Sequence, residues 1–298
     1  MLIGAHVSTA GGLDRAVERG AERGCHAIQI FNQSPRMWRP TAYGDADFAA
    51  FEAALSPTAI DAVLIHAVYL LNCAAEDCAV RSKSLVSLTH SLRVGAAIGA
   101  HGVVVHPGSA KTGDSASAIT RAGKTIAAAL ADSEGCALHL ENTAGAGGTL
   151  GRSVDELAVL LEAAGGDGRL GVCLDSCHLF ASGYDVRTPG GVNALVAELE
   201  AKIGLERIAS LHLNDSQVPF ASNRDRHANI GAGELGERGC AAFLGHPAFQ
   251  SLPCVLETRG DGHGPSGAEV ALAMKLHRRG VRAREGARRA RAPARGRR

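Results

Sequence analysis

One pattern recurs eight times along the 298 residues and limits the possible folds more than any other feature. A short apolar run ends at a polar, chemically capable residue, and a helix-like stretch follows. The runs cover 2–7, 27–31, 62–65, 102–105, 136–140, 171–174, 208–213 and 253–256. Amphipathic or Ala-rich segments lie near 12–23, 45–55, 77–99, 114–132, 153–164, 190–203, 236–249 and 266–279. Strand–helix alternation predicts a parallel sheet with helices packed on it. Strands of Val, Ile, Leu and Ala, in a chain with only 4% aromatic residues, suit a sheet buried on both faces. Eight such units fit a closed (β/α)8 TIM barrel better than an open doubly wound sheet. No G-x-G-x-x-G follows an early strand, which argues against a dinucleotide-binding fold.

The formal net charge of +1 conceals an asymmetry. Residues 275–298 carry eleven Lys/Arg and one Glu, which leaves 20 basic and 29 acidic residues for 1–274, a net of −9. From Val281 onward the chain is Arg, Ala, Gly and Pro with almost nothing to bury. We therefore read 1–280 as the barrel and 281–298 as a basic, disordered tail. No run of eighteen apolar residues is present, so no membrane span is expected. The opening Met1–His6 has no basic leader before an apolar stretch, and a cytoplasmic location is expected. The eight cysteines, none in a C-x-x-C pair, read as small buried hydrophobes in a reducing compartment.

The residues that end the runs carry the chemistry. The third run ends in His66, the fourth in His106, the fifth in Glu141, the sixth in Asp175, the seventh in His212 and the eighth in Glu257. In a (β/α)8 barrel these ends share one mouth, where active sites are built. His178, Asp225 and His227 lie in the loops that follow. A lone His at a strand end is usually a core residue, and a lone Asp or Glu a cap or turn former. Six at one face make a site. Asp175-x-x-His178 and Asp225-x-His227 are spacings that let two side chains meet one ion, although each is a weak signal alone. Five His and four carboxylates exceed the four ligands of a single zinc. They suit two or three ions, especially with a bridging carboxylate, and their imidazole content favours zinc over magnesium. Clustered divalent ions suit phosphate-ester hydrolysis. His6 ends the first run in the same mouth, without being counted as a ligand. His139, two residues before Glu141, reads as a core histidine in need of a partner.

Three longer segments sharpen this. His66–Asn72, Gly171–His178, and Leu211–Ser216 continuing to Asp225-Arg226-His227 resemble the three signatures of endonuclease IV. So do Gly4–Ser8, His106-Pro107-Gly108-Ser109, Glu141–Gly145 and Leu256-Glu257-Thr258; the resemblance runs in order from residue 1 to 258. It implies a trinuclear zinc site. His66, His106 and Glu141 would hold one ion. Glu141 would bridge to a second, held also by Asp175, His212 and Glu257. His178, Asp225 and His227 would hold the third. The implied activity is cleavage of duplex DNA on the 5′ side of an abasic site, with Glu141 as the catalytic residue, and removal of blocked 3′ ends. It also implies a nucleoid-associated monomer that flips out the lesion and fills the gap with Arg36, Tyr69 and Leu70. From the residues alone, Tyr69 and Leu70 read as core.

Four positions depart from the family pattern: Leu71, Ser176, Gln217 and Ala221. Gln217 stands where Lys is usual and removes a positive charge near the expected phosphate track. Ala221 stands where Gly is usual and strains the loop if the site needs positive φ. A metal-dependent sugar isomerase or epimerase on a related barrel is the competing enzyme class. Such sites are richer in carboxylates and usually carry a catalytic Lys, which no strand end supplies here. A non-catalytic DNA-binding protein working through its Arg tail is the other alternative, and the nine-residue set argues against it.

Overall fold

The structure, a computed structural model, describes residues 1–260 and 262–291. The apolar runs form the strands β1 (Leu2–His6), β2 (Ala27–Ile30), β3 (Ala62–His66), β4 (Gly102–Val105), β5 (Leu138–Glu141), β6 (Leu170–Asp175), β7 (Ile208–His212) and β10 (Pro253–Leu256). A short antiparallel pair, β8 (Asp215–Ser216) and β9 (His227–Ala228), stands apart. The helices are α1 (Leu13–Glu22), α2 (Asp45–Leu55), α3 (Cys78–Ala97), α4 (Ser115–Ala131), α5 (Val154–Ala163), α6 (Ser176–Ser182), α7 (Pro189–Lys202), α8 (Gly236–Leu244) and α9 (Gly267–Arg291). The eight long strands close in the order β1-β10-β7-β6-β5-β4-β3-β2, with every pairing parallel. The last strand pairs with the first, Leu2 opposite Pro253 and Ala5 opposite Leu256. The fold is a (β/α)8 TIM barrel. Among the described residues no helix is long and apolar enough to cross a membrane.

Strand alternation divides the core in two. One set of side chains, including Ile3, Ile28, Ile65, Val103 and Leu140, faces the helices and packs with Leu88, Leu92, Ile126, Leu157 and Phe243. The other set fills the barrel interior as a smaller cluster of Ala27, Ala62, Leu64, Val104, Cys173 and Val255. Carrying the inward alternation two residues further along each strand explains the site. Ala27 leads to Gln29, Leu64 to His66, Val104 to His106, Cys173 to Asp175 and Val255 to Glu257. The interior also holds His139, whose Nδ1 lies 3.0 Å from Ser210 Oγ. Gly102 is required beside it, because a Cβ there would collide with the His139 ring. His139 is thus a core histidine with a partner.

Several loops cap the helices they lead into. Asp77, Asp114, Ser153 and Thr188 each accept a main-chain N–H at a helix N-terminus. Asp175 does the same for α6, so that helix starts directly at a strand end. Seven cysteines are buried and Cys78 is exposed; all eight are free thiols.

Disorder from 281 is not what the structure has. Helix α9 crosses that position and runs to Arg291. Gly280 meets α8 so closely that a Cβ would collide with the Ala241 carbonyl, and Arg284 Nη1 donates to Asn193 Oδ1 at 2.7 Å. The physical reason is cooperativity. A helix already nucleated by packing adds residues at one hydrogen bond each, and Ala and Arg are good helix formers. Residues 292–298 of the expected tail lie outside the described residues.

Candidate metal centre

Glu141 stands at the middle of the mouth with no solvent exposure. Its Oε2 lies 3.2 Å from His66 Nε2 and 3.0 Å from His106 Nε2. Its Oε1 lies 3.1 Å from His212 Nδ1 and 3.2 Å from His178 Nδ1. One carboxylate therefore touches imidazoles brought by four different segments. His212 Nδ1 is also 3.3 Å from Glu257 Oε2 and 4.0 Å from Asp175 Oδ2. On the open side, His178 Nε2 is 3.2 Å from Asp225 Oδ2, and His227 Nε2 is 3.1 Å from Asp225 Oδ1.

All nine sequence-predicted side chains come together. Their donor atoms fall into three compact groups: His66, His106 and Glu141; Glu141, Asp175, His212 and Glu257; and His178, Asp225 and His227. Cys177 also lies near Asp175 and His227. Spacing alone did not divide the nine residues in this way.

The donor set fits divalent cations. Four carboxylates share the space, and burying them without counter-charge is costly. Burial pushes Glu141 up, but the charges of His212 and His106 and the hydrogen bonds of His106 and His178 hold it well below the usual carboxylate range. Glu257 is likewise raised by burial but pulled down to about 2, chiefly by His212. Burial opposes charge on His178 and His212, yet Asp175, Asp225 and Glu141 lift the first, and Cys173, Glu257 and Glu141 the second, well above the usual imidazole range. The acids therefore draw positive charge into the site. In addition, the buried Nε2 atoms of His178 and His227 both face the Asp225 carboxylate, at 3.2 and 3.1 Å.

Neighbours set how the ligand-type residues face. His66 Nδ1 meets the Ala67 carbonyl at 2.7 Å and His178 Nδ1 the Asn142 carbonyl at 2.9 Å. Carbonyls only accept, so both Nδ1 atoms carry protons and both Nε2 atoms are free to face the cluster. The Asp175 main-chain N–H donates to Asn142 Oδ1 at 2.7 Å, and Asn214 Nδ2 donates to Asp175 Oδ2 at 2.6 Å. Asp215, also buried, accepts main-chain N–H bonds from Gly231, Gly233, Leu235 and Gly236, tying the β8–β9 hairpin to the loop behind it. Sequence reasoning passed over Gln29, Asn142, Asn214 and Asp215. The available signal was a polar residue inside or just after an apolar run.

The rim residues differ in exposure. Tyr69 is 63% exposed, which removes the core reading for it, and its ring meets Phe31 edge-on at 5.3 Å. Leu70 is half-buried against the core, and Arg36 is exposed on the turn after β2. Tyr69 separates two cavities, of about 750 Å³ and about 540 Å³. Trp38, His66, His106 and Lys111 line the first; His6, Thr41, Glu257 and Thr258 line the second. His6 is pushed down to about 4 by burial. Ala221 does adopt a left-handed φ, +57°. Gln217 is exposed, and its Nε2 donates to the His227 carbonyl at 2.7 Å.

Comparisons with known proteins agree with this geometry. The family described as "Xylose isomerase-like TIM barrel" matches residues 17–279. A "Probable endonuclease 4" of Methanoculleus marisnigri is 37% identical over 93% of this chain and 99% of its own length. One from Chloroflexus aggregans is 39% identical over 92% and 97%. The crystal structure of endonuclease IV from Thermus thermophilus superposes with a TM-score of 0.81 at 36% identity, covering 95% of this chain and 100% of that one. A D-tagatose 3-epimerase-like protein, at 18% identity and a TM-score of 0.70, shares the fold. Relatives this similar over nearly their full length, joined to a mouth that holds all nine expected side chains, make this chain a member of the endonuclease IV family.

Proposed function

We propose that this protein is a DNA-repair endonuclease. It would hydrolyse the phosphodiester on the 5′ side of an abasic site in duplex DNA, leaving a 3′-hydroxyl and a 5′-deoxyribose phosphate. It would also clear blocked 3′ ends. Three zinc ions are the proposed cofactor, held by the three groups described above with Glu141 common to two. The observation that carries the reading is the Glu141 carboxylate within 3.0–3.2 Å of four imidazoles, with three further carboxylates around them.

Bound divalent ions acidify water and offset negative charge on phosphate oxygens. The chain's own residues prepare the place. Glu141, Asp175 and Glu257 supply the anionic charge that concentrates cations. The Ala67 and Asn142 carbonyls fix which imidazole nitrogens face the cluster. His178, Asp225 and His227, the group that includes the 44%-exposed Asp225, would serve the side from which the leaving 3′ oxygen departs. Tyr69, Leu70 and Arg36 would enter the DNA stack at the lesion, with the cavities beside Tyr69 receiving the extruded nucleotide.

The test is elemental analysis of the purified protein beside cleavage of a synthetic abasic duplex. Close to three zinc ions per chain and a single nick 5′ to the lesion are expected. One tightly held ion per chain would sink the trinuclear site, and a duplex left intact by the metal-loaded protein would sink the activity.

A further inference from the structure

Gln29 is an amide with no solvent exposure, on a strand that brings no member of the nine-residue cluster. It lies between His212 and Glu257. Its Oε1 is 2.9 Å from His212 Nε2, and its Nε2 donates to Glu257 Oε1 at 2.7 Å. The partners decide which way the amide faces. A carboxylate only accepts, so the amide NH₂ must face Glu257 and the amide oxygen must face the imidazole. That oxygen only accepts as well, so the ring nitrogen opposite, His212 Nε2, carries the proton. Nδ1 is then left on the far side of the ring, toward Glu141, Asp175 and Glu257.

Left alone among three carboxylates, a neutral imidazole would turn its N–H toward them. Gln29 instead keeps a proton on Nε2, so the proton at Nδ1, which faces Glu141 Oε1 at 3.1 Å, is the one a bound cation would displace. We propose that Gln29 is a positioning residue, one amide that sets the His212 tautomer and the Glu257 orientation together, so that His212 Nδ1 and Glu257 Oε2 converge with Asp175 and Glu141 on one cation. This rests on the metal-centre reading and concerns only one of the three groups. His66 and His178 have main-chain carbonyls for the same task, whereas His212 depends on a side chain. Removing Gln29 therefore unties two members of a single group and leaves the other two groups as they were.

The experiment titrates zinc into chelator-stripped, full-length protein against a zinc-binding dye, for wild type and Gln29→Leu, with melting curves to verify folding. Outer partners of metal ligands commonly account for about 10- to 100-fold in affinity. A loss of that size at one binding step, with the remaining steps unmoved, is expected for Gln29→Leu. Equal affinities at every step overturn the proposal. A second measurement needs no variant. Long-range ¹H–¹⁵N correlation on the zinc-loaded wild type should show His212 protonated at Nε2, and protonation at Nδ1 overturns the proposal even if Gln29→Leu fails to fold. A wild type that takes up no zinc removes the metal-centre reading and the proposal with it. That result is distinct from a wild type and variant that bind zinc equally well.

Discussion

Two layers of the same two strands make an instructive pair. In the lower layer His139 of β5 faces Ser210 of β7 at 3.0 Å; in the upper layer Glu141 of β5 faces His212 of β7 at 3.1 Å. Each layer holds one buried imidazole with an oxygen partner. In the lower layer burial wins, and His139 is pushed down to about 4. In the upper layer burial opposes charge on His212, yet its neighbours, Cys173 first and then Glu257 and Glu141, lift it well above the usual imidazole range. Residue type and depth are nearly constant across one step of the strand, and the neighbours alone reverse the chemistry. A barrel interior can therefore be inert packing at one level and a cation trap at the next.

Substitutions can break this contrast from either side. The largest effect should come from Glu141→Gln, which removes the central charge of the upper layer. Turnover on an abasic duplex should fall by at least about a thousandfold, roughly 4 kcal/mol in the barrier, while the barrel stays folded by circular dichroism. Retention of more than about a tenth of wild-type turnover, a loss under ~1.4 kcal/mol, would show that Glu141 is not central.

Next in size is the rim above the upper layer. Tyr69→Ala combined with Leu70→Ala should weaken binding to an abasic duplex by about 10- to 100-fold at fixed salt, in line with the loss of a stacking platform. Zinc content should not change. Equal affinity for the double variant and wild type would return both residues to a structural role.

The lower layer should respond in the opposite sense. His139→Leu leaves the Ser210 hydroxyl buried without its partner, a cost of about 1–3 kcal/mol, so the melting temperature should drop by several degrees. Zinc content and turnover should stay within about twofold of wild type, far from the collapse expected for Glu141→Gln. A large loss of turnover in folded His139→Leu would mean that the two layers are coupled.

The smallest effect belongs to the basic C-terminus. Residues 286–298 carry six Arg and no acidic residue. Deleting them should leave turnover at saturating DNA unchanged and flatten the plot of log affinity against log salt, since each phosphate contact contributes a slope of about 0.9. An unchanged slope would show that this segment does not touch DNA.

The barrel was largely readable because each strand is a compact apolar run and each ends in a residue that apolar cores avoid. His66, His106, Glu141, Asp175, His212 and Glu257 stood out for that reason. Gln29 did not, because an uncharged amide inside a four-residue strand has no contrast with the turn that follows. Helix α6 and the β8–β9 hairpin escaped because seven- and two-residue elements fall below the length at which periodicity shows. The grouping of nine ligand-type residues into three sets came from family resemblance, since side-chain directions around a closed barrel are not encoded in spacing. The helical stretch 281–291 was missed because composition was weighed without the packed helix it continues.

Closure of the barrel also has a consequence for synthesis. The first strand pairs with β2 early but finds its second partner only in β10, and Glu257 follows that strand directly. As the chain leaves the ribosome, His66 through His227 emerge before the residue that completes their cluster. A product truncated before 253 lacks both the closing strand and a full set of donors. The full donor set is thus completed by the same stretch of chain that closes the ring of strands.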